Sequence, residues 1–297
     1  MTHVVHEPPA APISREECFF YHSMEIPGTG FVRGQWDLTA DPEVYLGRVD
    51  FEGRRVLEIG PASGYLTFHM ERCGATVIGS ELSEGCDWDL VPFEGHEDVD
   101  YLESRQALMR AMHSGFWFAH RAHRSSAGVV YGSVYDLPED LGRFDVAVFS
   151  AVLLHLRDPF QALRRVLRNV GERAVISDIF PWHRMPAEVA ETFRARPALE
   201  WHGGPREAKL PNHIEAAIEA VPPQMYFCPD PQLRDPKETW WQFSPSLIRA
   251  FLGVLGFETE RVLYHYQPHD PQYQWTKPPQ PAAVTYHPCF TVVARRG

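Results

Sequence analysis

The segment Val56-Leu57-Glu58-Ile59-Gly60-Pro61-Ala62-Ser63-Gly64-Tyr65 constrains this chain more than any other. Residues 55–59 form a short apolar run, bounded by charge on one side and glycine on the other, which reads as a strand. Gly60 and Gly64 permit a tight turn and a close backbone approach to a ligand. Residues 65–73 have a helical pattern, and a second strand at 75–79 ends at Ser80-Glu81. A β-turn-α-β unit ending in a carboxylate sets an acid where it can meet ribose hydroxyls, which points to a nucleotide-type cofactor.

The pattern departs from the dinucleotide fingerprint. That fingerprint needs G-x-G-x-x-G so that bare backbone and a helix N-terminus can reach a pyrophosphate. Here the glycines lie four apart, Pro61 and Ala62 intervene, and the third glycine is missing. A cofactor with adenosine but no pyrophosphate fits better, and S-adenosylmethionine is the candidate.

The rest of the chain repeats the alternation. Residues 101–123 form an amphipathic helix with Leu102, Ala107, Leu108, Met112 and Phe116 along one stripe. Strands are expected at 129–131, at 144–149 (nearly all apolar, as when both faces are covered) and at 174–177. Asp158-Pro159 caps a helix that Gly171 is expected to close. Residues 181–243 break the rhythm: rich in Pro, Trp and His, partly helical at 187–196 and 213–220, they are expected to form an inserted lid. Ser244-Pro245 then caps a helix to residue 255, followed by strands at 258–266 and 289–294 separated by a Pro-rich excursion. The expected fold is α/β, a doubly wound, mostly parallel seven-stranded sheet with a C-terminal antiparallel hairpin. Residues 1–53 form an N-terminal arm with a small β segment around Pro27-Gly28-Thr29-Gly30, and 54–297 form the cofactor-binding domain.

Composition removes several classes. A net charge of −11 disfavours nucleic acid as a partner, since phosphate backbones require a basic groove. The five cysteines (Cys18, Cys73, Cys86, Cys228 and Cys289) lack C-x-x-C spacing, which suggests reduced thiols and no zinc site. No stretch is apolar enough for a membrane span, and no signal pattern opens the chain, so a cytoplasmic protein is expected. His120 and His123 lie three apart on a helix without a third ligand nearby, which favours a solvated face over a metal.

Four segments resemble class I S-adenosylmethionine-dependent methyltransferases: Glu58-x-Gly60-x-x-x-Gly64, Glu81, Gly132-Ser133-x-x-x-Leu137-Pro138, and Phe144-Asp145-x-x-x-Phe149-Ser150-x-x-Leu153-x-His155. The likeness covers residues 50–180. With Trp36-Asp37 it is loosely similar to the subgroup of tRNA wobble-uridine carboxymethyl transferases. The resemblance implies a Rossmann-like methyltransferase fold and methyl transfer. By position, Glu58 sits under the methionine end, and Gly60, Pro61, Ala62 and Gly64 wrap the amino acid and ribose, with Tyr65 opening the helix beside them. Glu81 accepts the ribose hydroxyls and Leu82 packs on the adenine. Family members carry an aspartate where this chain has Ser133, so the adenine contact weakens, moves to Asp136, or relies on backbone near Val134. Ser150 and Ala151 face the methionine portion.

Methyl transfer from a sulfonium is an in-line displacement in which the protein supplies alignment, desolvation and sometimes a base. His155, just past the fourth strand's C-terminal edge, is the candidate base; otherwise it is a helix-entry histidine bonded to backbone. Tyr21, His22 and Trp36 are candidates to fold over the cofactor from the arm and to bind substrate there, or they pack the surface of the sheet. Trp182, Trp240 and Trp241 either line an aromatic-accepting pocket or fasten the lid. The acceptor is expected to be a small or medium organic molecule with an O, N or C nucleophile, in specialised bacterial metabolism. The alternatives are tRNA modification, an NAD-dependent dehydrogenase, or a non-catalytic S-adenosylmethionine-binding protein. Oligomeric state is not readable.

Overall fold

A computed structural model describes residues 5–85, 88–95, 99–195, 206–270, 273 and 285–297. Cys86, part of the expected lid and most of the Pro-rich excursion lie outside the described residues. The N-terminal arm carries a hairpin, β1 (Met24–Ile26) with β2 (Gly30–Val32), followed by the short helix α1 (Pro42–Tyr45). The central units are β3 (Arg55–Ile59), α2 (Tyr65–Arg72), β4 (Thr76–Glu81), α3 (Val99–His123), β5 (Gly128–Tyr131), β6 (Phe144–Ser150), α4 (Pro159–Leu167) and β7 (Val170–Ile179). Then come α5 (Ala187–Arg194), α6 (Asn212–Glu219), the small hairpin β8 (Met225–Phe227) and β9 (Trp241–Phe243), α7 (Pro245–Val254), β10 (Phe257–His269) and β11 (Thr285–Arg296).

Seven strands form one sheet in the order β10-β11-β7-β6-β3-β4-β5. The five from β5 to β7 are parallel, and β11 and β10 add an antiparallel edge. This is the seven-stranded α/β architecture expected from the alternation of elements. Side chains alternate between two apolar faces. Leu57, Ile59, Ala147, Phe149, Ala174 and Ile176 enter one core, while Val56, Val146, Val148 and Val175 enter the other. With helices burying both faces, no strand can spare a polar face, which is why β6 is nearly all apolar.

Several boundaries differ from expectation: β7 spans Val170–Ile179 rather than 174–177, and β11 spans Thr285–Arg296 rather than 289–294. Gly171 does not close α4; the helix ends at Leu167 with Arg168 as its C-cap, and Gly171 lies inside β7, which begins at Val170. A glycine after a helix reads as a C-cap only when the next strand starts later. The Asp158 side chain caps α4 by accepting from the Gln161 amide at 2.9 Å, and Pro159 occupies the first turn. Ser244 does the same for α7 through the Leu247 amide.

The chain leaves β3 toward β4 and β5, then returns to lay β6 on the other side of β3. That reversal opens a crevice at the C-terminal ends of β3 and β6, where ligands of such sheets bind. Among the described residues no helix is long and apolar enough to cross a membrane.

Candidate functional site

The turn after β3 is built on two left-handed glycines, with φ of 75° at Gly60 and 89° at Gly64. Their surroundings are as restrictive as their dihedrals. A Cβ on Gly60 would meet the Val152 side chain at 2.7 Å, and one on Gly64 would meet the Phe68 ring at 2.5 Å. The Gly60 amide donates to the Ser80 carbonyl at 2.9 Å, tying the turn to β4. Pro61 packs against Gly79 of β4, where even a methyl group would approach it to 2.9 Å. Ala62 is left-handed despite its side chain, with φ of 51°.

Glu81, at the end of β4, reaches back over this turn. Its carboxylate accepts from the Ala62 amide at 2.9 Å and from the Leu82 amide at 2.8 Å. Burial raises its pKa, opposed by these two backbone bonds. Glu58 lies almost wholly buried beneath the turn and accepts from the Thr67 hydroxyl at 2.5 Å. Burial pushes its carboxyl up to about 8, so it is largely protonated at neutral pH.

On the neighbouring strand, Ser150 ends β6 and its buried hydroxyl has no hydrogen-bond partner among the described residues. Ala151 follows in a left-handed conformation (φ 53°), with its amide on the Ser177 carbonyl at 2.8 Å. Past β5, the Ser133 hydroxyl caps the turn at residues 134–136 by accepting from the Tyr135 amide at 3.3 Å; Val134 is buried and Asp136 exposed. The sheet register therefore gathers Glu58, Gly60 to Gly64, Glu81, Leu82, Ser133, Val134, Ser150 and Ala151 at one edge. Leu82 packs, with Tyr21, Trp88 and Leu108, against a buried cluster that includes Ala62, Met109 and Met112, an apolar wall that sequence reasoning did not assemble because α3 supplies much of it.

The arm crosses this edge. The Ser63 hydroxyl accepts from the amides of Tyr21 at 3.1 Å and His22 at 3.3 Å, pinning the arm to the glycine turn. Trp36 is laced to the same segment: its amide donates to the Tyr21 carbonyl at 2.9 Å and its carbonyl accepts from Ser23 at 2.8 Å. The Trp36 indole hydrogen-bonds the Tyr21 hydroxyl, yet burial still pushes that hydroxyl up to about 12. Burial pulls His22 down to about 3, so it is neutral. Ser63 was not singled out from the sequence, since a serine between glycines carries no signal of a partner 42 positions away.

His155 ends the one-turn 3-10 helix at residues 153–155 that follows β6. Its Nδ1 donates to the Glu238 carbonyl at 2.5 Å. A carbonyl can only accept, so Nδ1 carries the proton and Nε2 keeps a lone pair. Burial lowers its pKa, which keeps the ring neutral at pH 7. The segment that bonds it is a strap running from β8 to β9. Trp240 in this strap is buried, donates its amide to the Leu154 carbonyl at 2.9 Å, and bonds the Asp89 carbonyl through its indole.

The structure gives three of the expected residues other contacts. Tyr65 turns into the core on the α2 side, lining a cleft with Met24, Phe68 and His123. Trp241 fastens the strap, its indole donating to the Arg157 carbonyl at 3.2 Å. Trp182 lies beyond β7 with the Arg194 guanidinium 6.0 Å from its ring centre. His120 bonds the Ala127 carbonyl and His123 stacks on Phe68.

The model of the methyltransferase domain family matches residues 38–217, more than half of the chain. Among solved structures the chain is similar to the magnesium protoporphyrin IX methyltransferase of Synechocystis with bound S-adenosylhomocysteine: 14% identity, 87% of this chain and 80% of that one, TM-score 0.43. It is also similar to the Burkholderia thailandensis 1,6-didemethyltoxoflavin-N1-methyltransferase (14% identity, 87% and 78%, TM-score 0.45). The N-terminal domain of EvdMO1, with S-adenosylhomocysteine and D-fucose, gives 17% identity, 93% and 90%, and a TM-score of 0.48. No curated protein matches the chain significantly. The glycine turn, the acid that closes on it and the family match together lead to one conclusion: this chain belongs to the methyltransferase domain family and is an S-adenosylmethionine-dependent methyltransferase.

Proposed function

We propose that the chain methylates a small or medium-sized organic acceptor held beneath the arm and the strap. The observation that carries this reading is the double roof. Tyr21 and His22 are bonded to Ser63 on one side, and the strap is bonded to Leu154 and His155 on the other. A roof fixed by backbone hydrogen bonds suits a compact acceptor better than a polymer, which needs an open track. The net charge of −11 weighs in the same direction against RNA.

The residues at the crevice fit S-adenosylmethionine. Each Glu81 oxygen accepts one amide and has a further lone pair for a ribose hydroxyl. The left-handed backbone at Gly60 and Gly64 makes a tight turn whose bare backbone a ligand can approach closely. The Ser150 hydroxyl, without a partner among the described residues, offers a polar contact for the methionine end. Leu82, Val134 and the Ser133 turn would take the adenine. When bound, the cofactor supplies a methyl group activated by a sulfonium.

What remains for the chain is alignment, dehydration and proton transfer. Tyr21, His22, Trp36 and Trp240 shield the crevice from water. His155, neutral and with Nε2 free to accept, takes the proton of a hydroxyl or amine nucleophile as it is methylated. The Glu238 carbonyl fixes the tautomer and stabilises the imidazolium that forms. The test is transfer of labelled methyl from S-adenosylmethionine to a panel of phenols, alcohols and amines, in parallel with total tRNA. Label in a small acceptor and none in tRNA is expected; label in tRNA alone would overturn the reading.

A further inference from the structure

Asp178 belongs to none of the interactions described so far, and its position is unusual. It is the penultimate residue of β7, one past Ser177, which pairs with Ser150 at the end of β6. Alternation along β7 turns it to the same face as Ala174 and Ile176, toward the turn at residues 153–155 and the strap. Only 2% of Asp178 is exposed.

Its two oxygens have different fates. Oδ1 accepts from the Ile179 amide at 2.7 Å, and the carboxyl also takes a hydrogen bond from the Leu154 backbone. Oδ2 is buried and has no hydrogen-bond partner among the described residues. Leu154 is thus held from both ends, its amide by Asp178 and its carbonyl by Trp240, one residue before His155. A buried carboxylate oxygen without a partner among the described residues, on a side chain tied to the residue before a candidate base, is a place to receive a donor from a bound molecule.

We propose that Asp178 is an acceptor-binding residue, whose Oδ2 takes a hydrogen bond from a hydroxyl or amine of the methyl acceptor and holds it beside His155. The proposal rests on the methyl-transfer reading and narrows it: the acceptor is a hydrogen-bond donor such as a phenol, an alcohol or an amine. The titratable groups around the carboxyl agree with this. They are Cys289 of β11, Cys228 of the strap and Tyr45 of α1, each raised in pKa in part by the Asp178 charge, with His155 next to its Leu154 donor. All are neutral at pH 7, so none of them gives the carboxylate a counter-charge. Burial accordingly pushes Asp178 up to about 7. Donor binding should therefore tighten as pH rises through that value and the carboxylate forms.

Asp178→Asn is the discriminating variant, because it keeps the shape and an Oδ1 for the Ile179 amide while turning the open atom from acceptor to donor. The protein is labelled with carboxyl-13C aspartate, saturated with S-adenosylhomocysteine, and titrated with phenol, benzyl alcohol and benzylamine, with toluene as the donor-free control. The Asp178 resonance is identified by its loss in the variant or, if the variant does not fold, by its titration near pH 7. The expected result is a shift of that resonance with all three donors and none with toluene. A D178N protein that folds should bind S-adenosylhomocysteine within about threefold of wild type and bind the donors at least tenfold more weakly. Toluene acting as the donors do, or no donor moving the resonance in a protein that binds S-adenosylhomocysteine, would overturn the proposal alone. Failure of S-adenosylhomocysteine to bind the wild type would overturn the methyl-transfer reading with it.

Discussion

The Ala62 amide donates to the Glu81 carboxylate at 2.9 Å, joining the glycine turn after β3 to the acid at the end of β4. The two halves of the proposed adenosine site are therefore tied to each other by the chain's own hydrogen bond. Ala62 holds a left-handed φ of 51° while making this bond, a conformation that costs an alanine about 1–2 kcal/mol.

The same turn gives a prediction with an internal control. Gly64→Ala should destabilise the chain by about 2–5 kcal/mol, combining the left-handed penalty with overpacking against the buried Phe68 and Phe116 rings. Gly28→Ala, with φ of 77° but nothing within 4 Å of the new Cβ, should cost only about 1–2 kcal/mol. Urea unfolding of both variants measures the difference, and equal losses would refute the packing argument.

Ser63→Ala removes the acceptor shared by the Tyr21 and His22 amides. The variant should lose about 1–3 kcal/mol, the cost of leaving a buried donor unpaired, and the arm should open to protease. Limited proteolysis reads this directly: cleavage before residue 40 should accelerate, and an unchanged rate would show that other contacts hold the arm.

His155→Ala should lower kcat by roughly 10²–10⁴, the range for loss of a general base, with little change in the affinity for S-adenosylhomocysteine. Full activity would remove His155 from the chemistry and leave it the bland role of tethering the strap through Glu238.

Stability should fall between about pH 6.5 and 8. Glu58 and Asp178 have folded-state pKa values raised to about 8 and about 7, so the folded chain binds more protons than the unfolded one across this window. Each such group loses roughly 1.4 kcal/mol per pH unit until its folded pKa is passed. The histidines His22 and His265, pulled down to about 3 by burial, act oppositely but only below their unfolded pKa near 6.5. Melting temperature of the ligand-free protein at pH 6.5, 7.25 and 8 should therefore decline, and Glu58→Gln should flatten the slope. A melting temperature that rises over this range would contradict the buried-carboxyl account.

The sheet was legible because its signals are local. Two apolar faces per strand, Asp158-Pro159 and Ser244-Pro245 as helix starts, and the spacing from Gly60 to Glu81 each sit within one or two elements. The roof was not legible, because it depends on partners distant in the chain. Tyr21 meets Ser63, His155 meets Glu238, and Trp240 meets Asp89, and no periodicity encodes such pairs. Tyr65 shows the limit from the other side: its position beside Gly64 suggested the crevice, but one step along a helix turns a ring by about 100°, here into the core. Asp178 was passed over because a carboxylate at a strand end looks like any solvated acid until its burial is known.

The central claim is that the crevice at Gly60–Gly64 and Glu81 holds S-adenosylmethionine. Isothermal titration calorimetry with S-adenosylhomocysteine tests it most directly. The account predicts saturable one-to-one binding by the wild type, weakened by about 1–3 kcal/mol in Glu81→Ala, or roughly 5- to 150-fold, and no binding of NAD. Binding of NAD instead, or an affinity for S-adenosylhomocysteine that Glu81→Ala leaves unchanged, would contradict it.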